Sequence, residues 1–163
     1  MTTTAVSLCT FRLGDLHIGI DVIVVQEVLR RQEATRVPLV PEVIHGLINL
    51  RGEIVTTIDL RERFGLPPSA TPEQSMNVVI RTPDGPVALV VDEIGDVIDA
   101  DEALFELPPP TLTGTHREFV TGVFKLDDIL LLLIDVDAVL DPTTFKAPTS
   151  ADAAGALATS SAH

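Results

Sequence analysis

Apolar residues fall in short bursts along the chain, often alternating with polar ones, and glycine, proline and aspartate separate the bursts. Alternation is the period of a pleated strand, so the pattern predicts short strands joined by tight turns. Residues 8–13 and 16–20 flank Gly14-Asp15 and form an opening hairpin after a polar stub. Asp21 then leads VIVVQEVLRR, whose early β-branched residues are stiff at χ1. They predict a short helical turn over residues 21–25 and a strand from Gln26 to about Arg36. Pro38 and Pro41 bracket an extended link, and residues 42–45 make one turn. Residues 46–66, GLINLRGEIVTTIDLRERFGL, read as strand, tight turn at Arg51-Gly52, strand and a helical turn capped by Asp59.

The second half is punctuated in the same way. Residues 67–75 are a linker by composition, and residues 76–81 and 86–91 flank the hairpin signal Thr82-Pro83-Asp84-Gly85. A turn is expected over 92–96, an extended piece over 97–100 and a proline-held loop over 107–114. Residues 119–126 and 129–134 form another hairpin, and 135–140 a closing helical turn. From Pro142 onward small residues dominate, and residues 142–163 are expected to be a disordered, dispensable tail.

The chain repeats. Gly46, Leu50, Ile58 and Asp59 recur as Gly122, Leu126, Ile134 and Asp135 at a constant offset of 76 residues. Upstream, Ile20, Val22, Val25, Glu27, Val28 and Leu29 match Leu89, Val91, Ile94, Asp96, Val97 and Ile98 at an offset of 69. The proline loop accounts for the difference. Two similar units of short strands predict a mainly β protein built as two small barrels.

Composition narrows the functional classes. One compact domain is the default for 163 residues, 45% of them hydrophobic. A formal net charge of −13 argues against nucleic acid and anionic membrane surfaces as partners. Cationic side chains concentrate in the first half, at Arg30-Arg31, Arg36, Arg51, Arg61 and Arg63. The single cysteine rules out an intramolecular disulfide and fits a cytoplasmic compartment. No signal peptide or membrane-spanning run is present, so no membrane insertion is expected. His17, His45, His116 and His163 form no close pair and no ligand pattern with Cys9. No phosphate-binding loop, dinucleotide glycine pattern or nucleophile elbow occurs. Asp127-Asp128 reads as a solvated turn, and Asp21, Asp59 and Asp135 read as helix caps. No metal, cofactor or catalytic residue is expected; a small β-barrel enzyme is the weaker alternative.

The stretch around Asn49-Leu50-Arg51-Gly52 resembles the core motif of the CheW family, the coupling proteins of bacterial chemotaxis. FRLGDLHIGIDVIVVQEV, VALVVDEIGDVIDA and FVTGVFKLDDILLLLIDVDAVL resemble the family's other segments in order and spacing. The resemblance implies two SH3-like five-stranded β-barrel lobes with short helical turns, in one domain over residues 6–141. Lobe 1 would hold about 15–75 plus 133–141, and lobe 2 about 6–14 plus 76–132. The first strand and last segment would cross between them. It also implies a non-catalytic adaptor bridging the regulatory domain of the histidine kinase CheA to chemoreceptor cytoplasmic tips, with other CheW-like domains as possible partners. The start at Met1, with no kinase module, favours a free-standing coupler. A CheW-like scaffold for another pathway, such as surface motility, is the alternative. The resemblance implies an apolar receptor groove at the lobe junction, formed by Val22, Val25, Val28, Val91, Ile94 and Gly95 with Cys9 beside it. It places Glu27 and Arg51 near the same side, where they are expected to pair.

Overall fold

The computed structural model describes residues 5–110 and 115–145. Its strands are β1 (Ala5–Leu13), β2 (Leu16–Asp21), β3 (Val25–Arg30), β4 (Ile44–Leu50), β5 (Glu53–Asp59), β6 (Met76–Ile80), β7 (Val87–Val91), β8 (Glu93–Asp101), β9 (Phe105–Glu106), β10 (Val120–Lys125) and β11 (Leu130–Ile134). Short helices are α1 (Leu60–Arg63), α2 (Thr115–Phe119) and α3 (Val136–Leu140). The protein is mainly β, as its alternation predicts, but the sheets hold six and five strands rather than five each. Their orders are β8-β1-β2-β11-β10-β9 and β3-β6-β7-β5-β4.

The repeat is reproduced residue for residue in the strand ladders. Ile48 faces Val55 in the β4–β5 hairpin, and Phe124 faces Leu131 in β10–β11, each displaced by 76. Cys9 faces Ile20 in β1–β2, and Val78 faces Leu89 in β6–β7, each displaced by 69. The parallel pairs Leu132–Ile18 and Thr56–Val87 obey both offsets at once. Each repeat therefore gives its opening hairpin to one sheet and its remaining strands to the other. The chain changes sheets at a 3-10 turn, Val22–Val24, whose first free amide at Ile23 is capped by Asp21, and again at Asp92.

The sheets therefore cut across the order of the chain. β2 lies in the six-stranded sheet, and β6 and β7 complete the five-stranded one. β1 stays within one sheet, between β8 and β2, so it does not cross. Contacts across the sheets come instead from a shared core. Cys9, Phe11, Leu13, Leu132 and Ile134 from one sheet pack with Ile58, Val78, Ile80 and Leu89 from the other. On its opposite face each sheet covers a smaller core, Leu8, Ala100, Phe124 and Leu131 in one and Ile48, Val55, Val79 and Ala88 in the other. Central strands are thus buried on both faces, which is why β11 reads as an unbroken apolar run rather than an alternating one.

Three local expectations change. Of the turn expected over 92–96, only Asp92 turns the chain; residues 93–96 belong to β8, which bulges where Cys9 and Phe11 face Val97 and Ile94. The strand expected to reach Arg36 ends at Arg30. Residues 142–145 are not loose: Pro142–Thr144 form a 3-10 turn capped by Asp141, and Thr144 and Phe145 hold Arg63. The rest of the predicted tail, 146–163, lies outside the described residues.

Candidate functional site

β3 and β4 are the outer strands of the five-stranded sheet, and the β4–β5 turn reaches back to β3. Arg51 and Gly52 both have positive φ, 54° and 87°, the backbone of a tight primed hairpin turn. The Gly52 amide donates to Asn49 Oδ1 at 2.9 Å, which fixes the turn locally. Glycine takes this backbone freely, whereas arginine is strained in it. From that position Arg51 grips Glu27 with both arms, Nη1 to Oε2 at 2.7 Å and Nη2 to Oε1 at 2.5 Å. The guanidinium holds the Glu27 carboxyl below its usual range, and Glu27 raises the arginine in turn. An exposed pair adds little stability, so its consequence is orientation. The expected pairing is therefore formed.

The expected groove residues divide by burial. Cys9 and Val91 are core, 4% and 1% exposed, and burial pushes the Cys9 thiol up. Neither side chain reaches the surface: Val91, expected to line the groove, and Cys9, expected beside it, both face the core. Val25 and Ile94 are half-buried against the shared core. Val22 and Val28 are exposed, as is Gly95 in the β8 bulge. At Gly95 a Cβ would stand 2.5 Å from Thr10 Oγ1, whose hydroxyl donates to the Asp96 carbonyl at 2.6 Å. β3 and β8 are outer strands of different sheets, and no ladder joins them; Val25 and Ile94 each pack against the shared core. Among the described residues no cluster of His, Cys, Asp or Glu could hold a metal ion. The surface is one of aliphatic side chains beside a fixed ion pair, suited to recognition rather than bond-making.

The CheW-like domain model matches residues 7–143. The chain belongs to this family. It is 33% identical to the chemotaxis protein CheW of Bacillus subtilis over 138 residues, 85% of this chain and 88% of that protein. It is 31% identical to the chemotaxis protein CheW of Treponema pallidum over 134 residues, 79% of this chain and 78% of that protein. Its structure matches the crystal structure of the scaffolding protein TtCheW from Thermoanaerobacter tengcongensis with a TM-score of 0.76 and 33% identity, covering 85% of this chain and 94% of that one. The protein is a non-catalytic chemotaxis scaffold of the CheW class.

Two further arginines of this CheW-family chain organise the scaffold, and sequence reasoning took them only as part of a basic cluster. Arg61, on α1, donates from Nε to Asp92 Oδ1 at 2.8 Å and from Nη2 to Oδ2 at 2.5 Å. The Gly14 amide donates to the same Oδ2 at 2.6 Å, so one carboxylate ties α1 to the β7–β8 crossing and the β1–β2 turn. The Arg61 guanidinium holds the Asp92 carboxyl below its usual range. Arg63, 7% exposed, donates to the carbonyls of Val139, Ala138 and Thr144 and lies over the rings of Phe119 and Phe145. Burial pushes its guanidinium down. The available signal was spacing: Arg63 lies three residues after Leu60 and next to the cap residue Phe64, both of which are core.

Proposed function

We propose that this scaffold binds the cytoplasmic tip of a chemoreceptor along the β3 and β8 edge surface and, elsewhere, the regulatory domain of the histidine kinase CheA. The receptor surface comprises Val22, Val25, Val28, Ile94 and Gly95, with Cys9 and Val91 supporting it from the core and Glu27–Arg51 orienting its border. The observation that carries this reading is the pair of exposed valines, Val22 in the 3-10 turn before β3 and Val28 on β3, 38% and 36% exposed, beside the Arg51-gripped Glu27 of β3. Helix-in-groove recognition draws on such aliphatic surface. Other CheW-like domains are possible additional partners through the same fold. The site of action is the cytoplasm; no helix among the described residues is long and apolar enough to cross a membrane.

The test is a titration of purified variants against receptor signalling fragments and against the kinase domain. Val25→Asp places an unpaired carboxylate in a contact that is otherwise dry. It should fold, retain kinase binding and lose receptor affinity by roughly tenfold or more. Because Val25 also touches the core, Val28→Asp serves as the exposed counterpart and should act in the same direction. Arg51→Ala should weaken receptor coupling with little change in melting temperature. Unchanged receptor affinity in folded Val25→Asp and Val28→Asp removes this surface from the receptor site.

A further inference from the structure

The two junctions where the chain changes sheets are equivalent in fold and opposite in chemistry. At the one around Asp92, His45, Asp59, Arg61, Val90 and Asp92 line a cavity of about 170 Å³. At the other, around Val22–Val24, the repeat places Thr121, Asp135, Asp137, Asp21 and Ile23 at those positions, and a larger cleft of about 320 Å³ opens there. Where the Asp92 junction has the bonded pair Arg61 and Asp92, the other has Asp137 and Ile23. At the Asp92 junction the arginine is bonded to its own carboxylate. The other has a carboxylate in the arginine's place and an isoleucine, 75% exposed, in the carboxylate's.

The cleft walls are both apolar and acidic. Val24 and Val136 line it with Asp21, Asp135 and Asp137. Asp21 and Asp135 each use Oδ1 as a cap, for the Ile23 and Ala138 amides. Among the described residues no ion pair reaches any of the three carboxylates. Arg81 is the one cation in the lining, and its Nη1 is occupied by the carbonyls of Ile23 and Val25 at 3.0 and 3.2 Å.

We propose that this cleft is a second docking site, distinct from the β3–β8 edge, for a protein segment that presents an aliphatic side chain next to an arginine or lysine. The partner's cation takes the place that Arg61 fills at the sister junction, and its aliphatic group packs on Val24 and Val136. Charge complementarity selects the occupant: three carboxylates face one engaged guanidinium, so an acidic segment is repelled.

The probe is a short helical peptide carrying leucine and arginine one turn apart on an alanine–glutamine background, with a control in which glutamate replaces arginine. Binding is read from the methyl resonances of Val24 and Val136 in the full chain. The arginine peptide should shift these methyls saturably, and the glutamate peptide should bind at least roughly fivefold more weakly. Asp137→Arg, at an exposed position, should weaken the arginine peptide by a similar factor without altering the melting temperature. Val25→Asp should leave peptide binding unchanged, so failure of the receptor surface and failure of this cleft are separable. Equal binding of both peptides overturns the proposal, as do shifts centred on Val28 and Val97. Self-association of the chain that Asp137→Arg abolishes also overturns it, because the occupant is then a second copy.

Discussion

Deleting residues 142–163 should cost the fold far more than deleting 146–163, because the first cut removes half of the Arg63 clasp. Thr144 supplies two acceptors to Arg63, its carbonyl to Nη1 at 3.1 Å and its hydroxyl to Nη2, and Phe145 supplies one of the two rings that sandwich the guanidinium. Those centroids lie 4.4 Å away for Phe119 and 4.7 Å for Phe145. Hydrogen bonds to a charged group contribute about 1.5–3 kcal/mol each. A cation–ring contact adds about 0.5–2 kcal/mol. Water enters the opened site and replaces part of what is lost, which leaves a net destabilisation of about 2–4 kcal/mol. For a chain of this size that corresponds to a fall in melting temperature of roughly 5–15 °C. Thermal melts followed by circular dichroism on chains ending at Phe145 and at Asp141 read the difference directly. The first should melt as the full chain does. Arg63→Met should lose at least as much as the shorter truncation, since it leaves the carbonyls of Ala138, Val139 and Thr144 without their donor. Melting of the chain ending at Asp141 within about 1 °C of the longer one would show that the clasp contributes nothing.

The Asp92 carboxyl is held low by Arg61, so its contribution to stability is full above the ordinary aspartate range and is lost as pH falls through its depressed value. Carboxyl NMR titration should find Asp92 ionised below the usual range, and Arg61→Gln should return it upward and flatten the acid loss of stability; an unmoved titration would detach the two residues. Gly122→Ala should destabilise by about 1–3 kcal/mol in a urea titration, because a Cβ there collides with the Phe105 ring and stands 2.7 Å from the Glu106 carbonyl oxygen. A neutral result would mean that β9 yields without loss.

Much of the fold was legible because local signals and repeat agreed. Gly46 and Gly122 recur at the same offset, and both stand where another segment passes close: a Cβ on Gly46 would lie 2.6 Å from the Thr35 carbonyl oxygen. Asp21, Asp59 and Asp135 cap the turns that follow them, as their positions before apolar runs suggest. Sheet membership was not legible. The offsets of 69 and 76 say which residues are equivalent, but a hairpin can pair within its own repeat or across to the other, and the choice rests on the shared core. The bulge in β8 was read as a turn because glycine and aspartate signal both. At the candidate surface, Val25 and Cys9 carry the same apolar signal, and only packing separates a half-buried edge valine from a core cysteine. Arg63 was hidden for a different reason: an arginine in a short helix ordinarily keeps its charge in water, and the carbonyls that receive it come from residues 138–144, far along the chain.

The two halves share a backbone plan and differ in charge. Three arginines of the first half, Arg51, Arg61 and Arg63, correspond to Asp127, Asp137 and Val139 in the second. Each arginine is spent internally, on Glu27, on Asp92 and on the carbonyls around α3. The partner of Arg51 also changes character: Glu27 corresponds to Asp96, so the place of one ion pair is taken by two carboxylates. Pseudo-equivalent surfaces with identical chemistry would compete for the same partner. Neutralising one and leaving the other acidic makes the two surfaces chemically distinct, since like charges facing each other across a contact are strongly penalised. A cationic segment suited to the acidic surface gains no comparable attraction on the neutralised one.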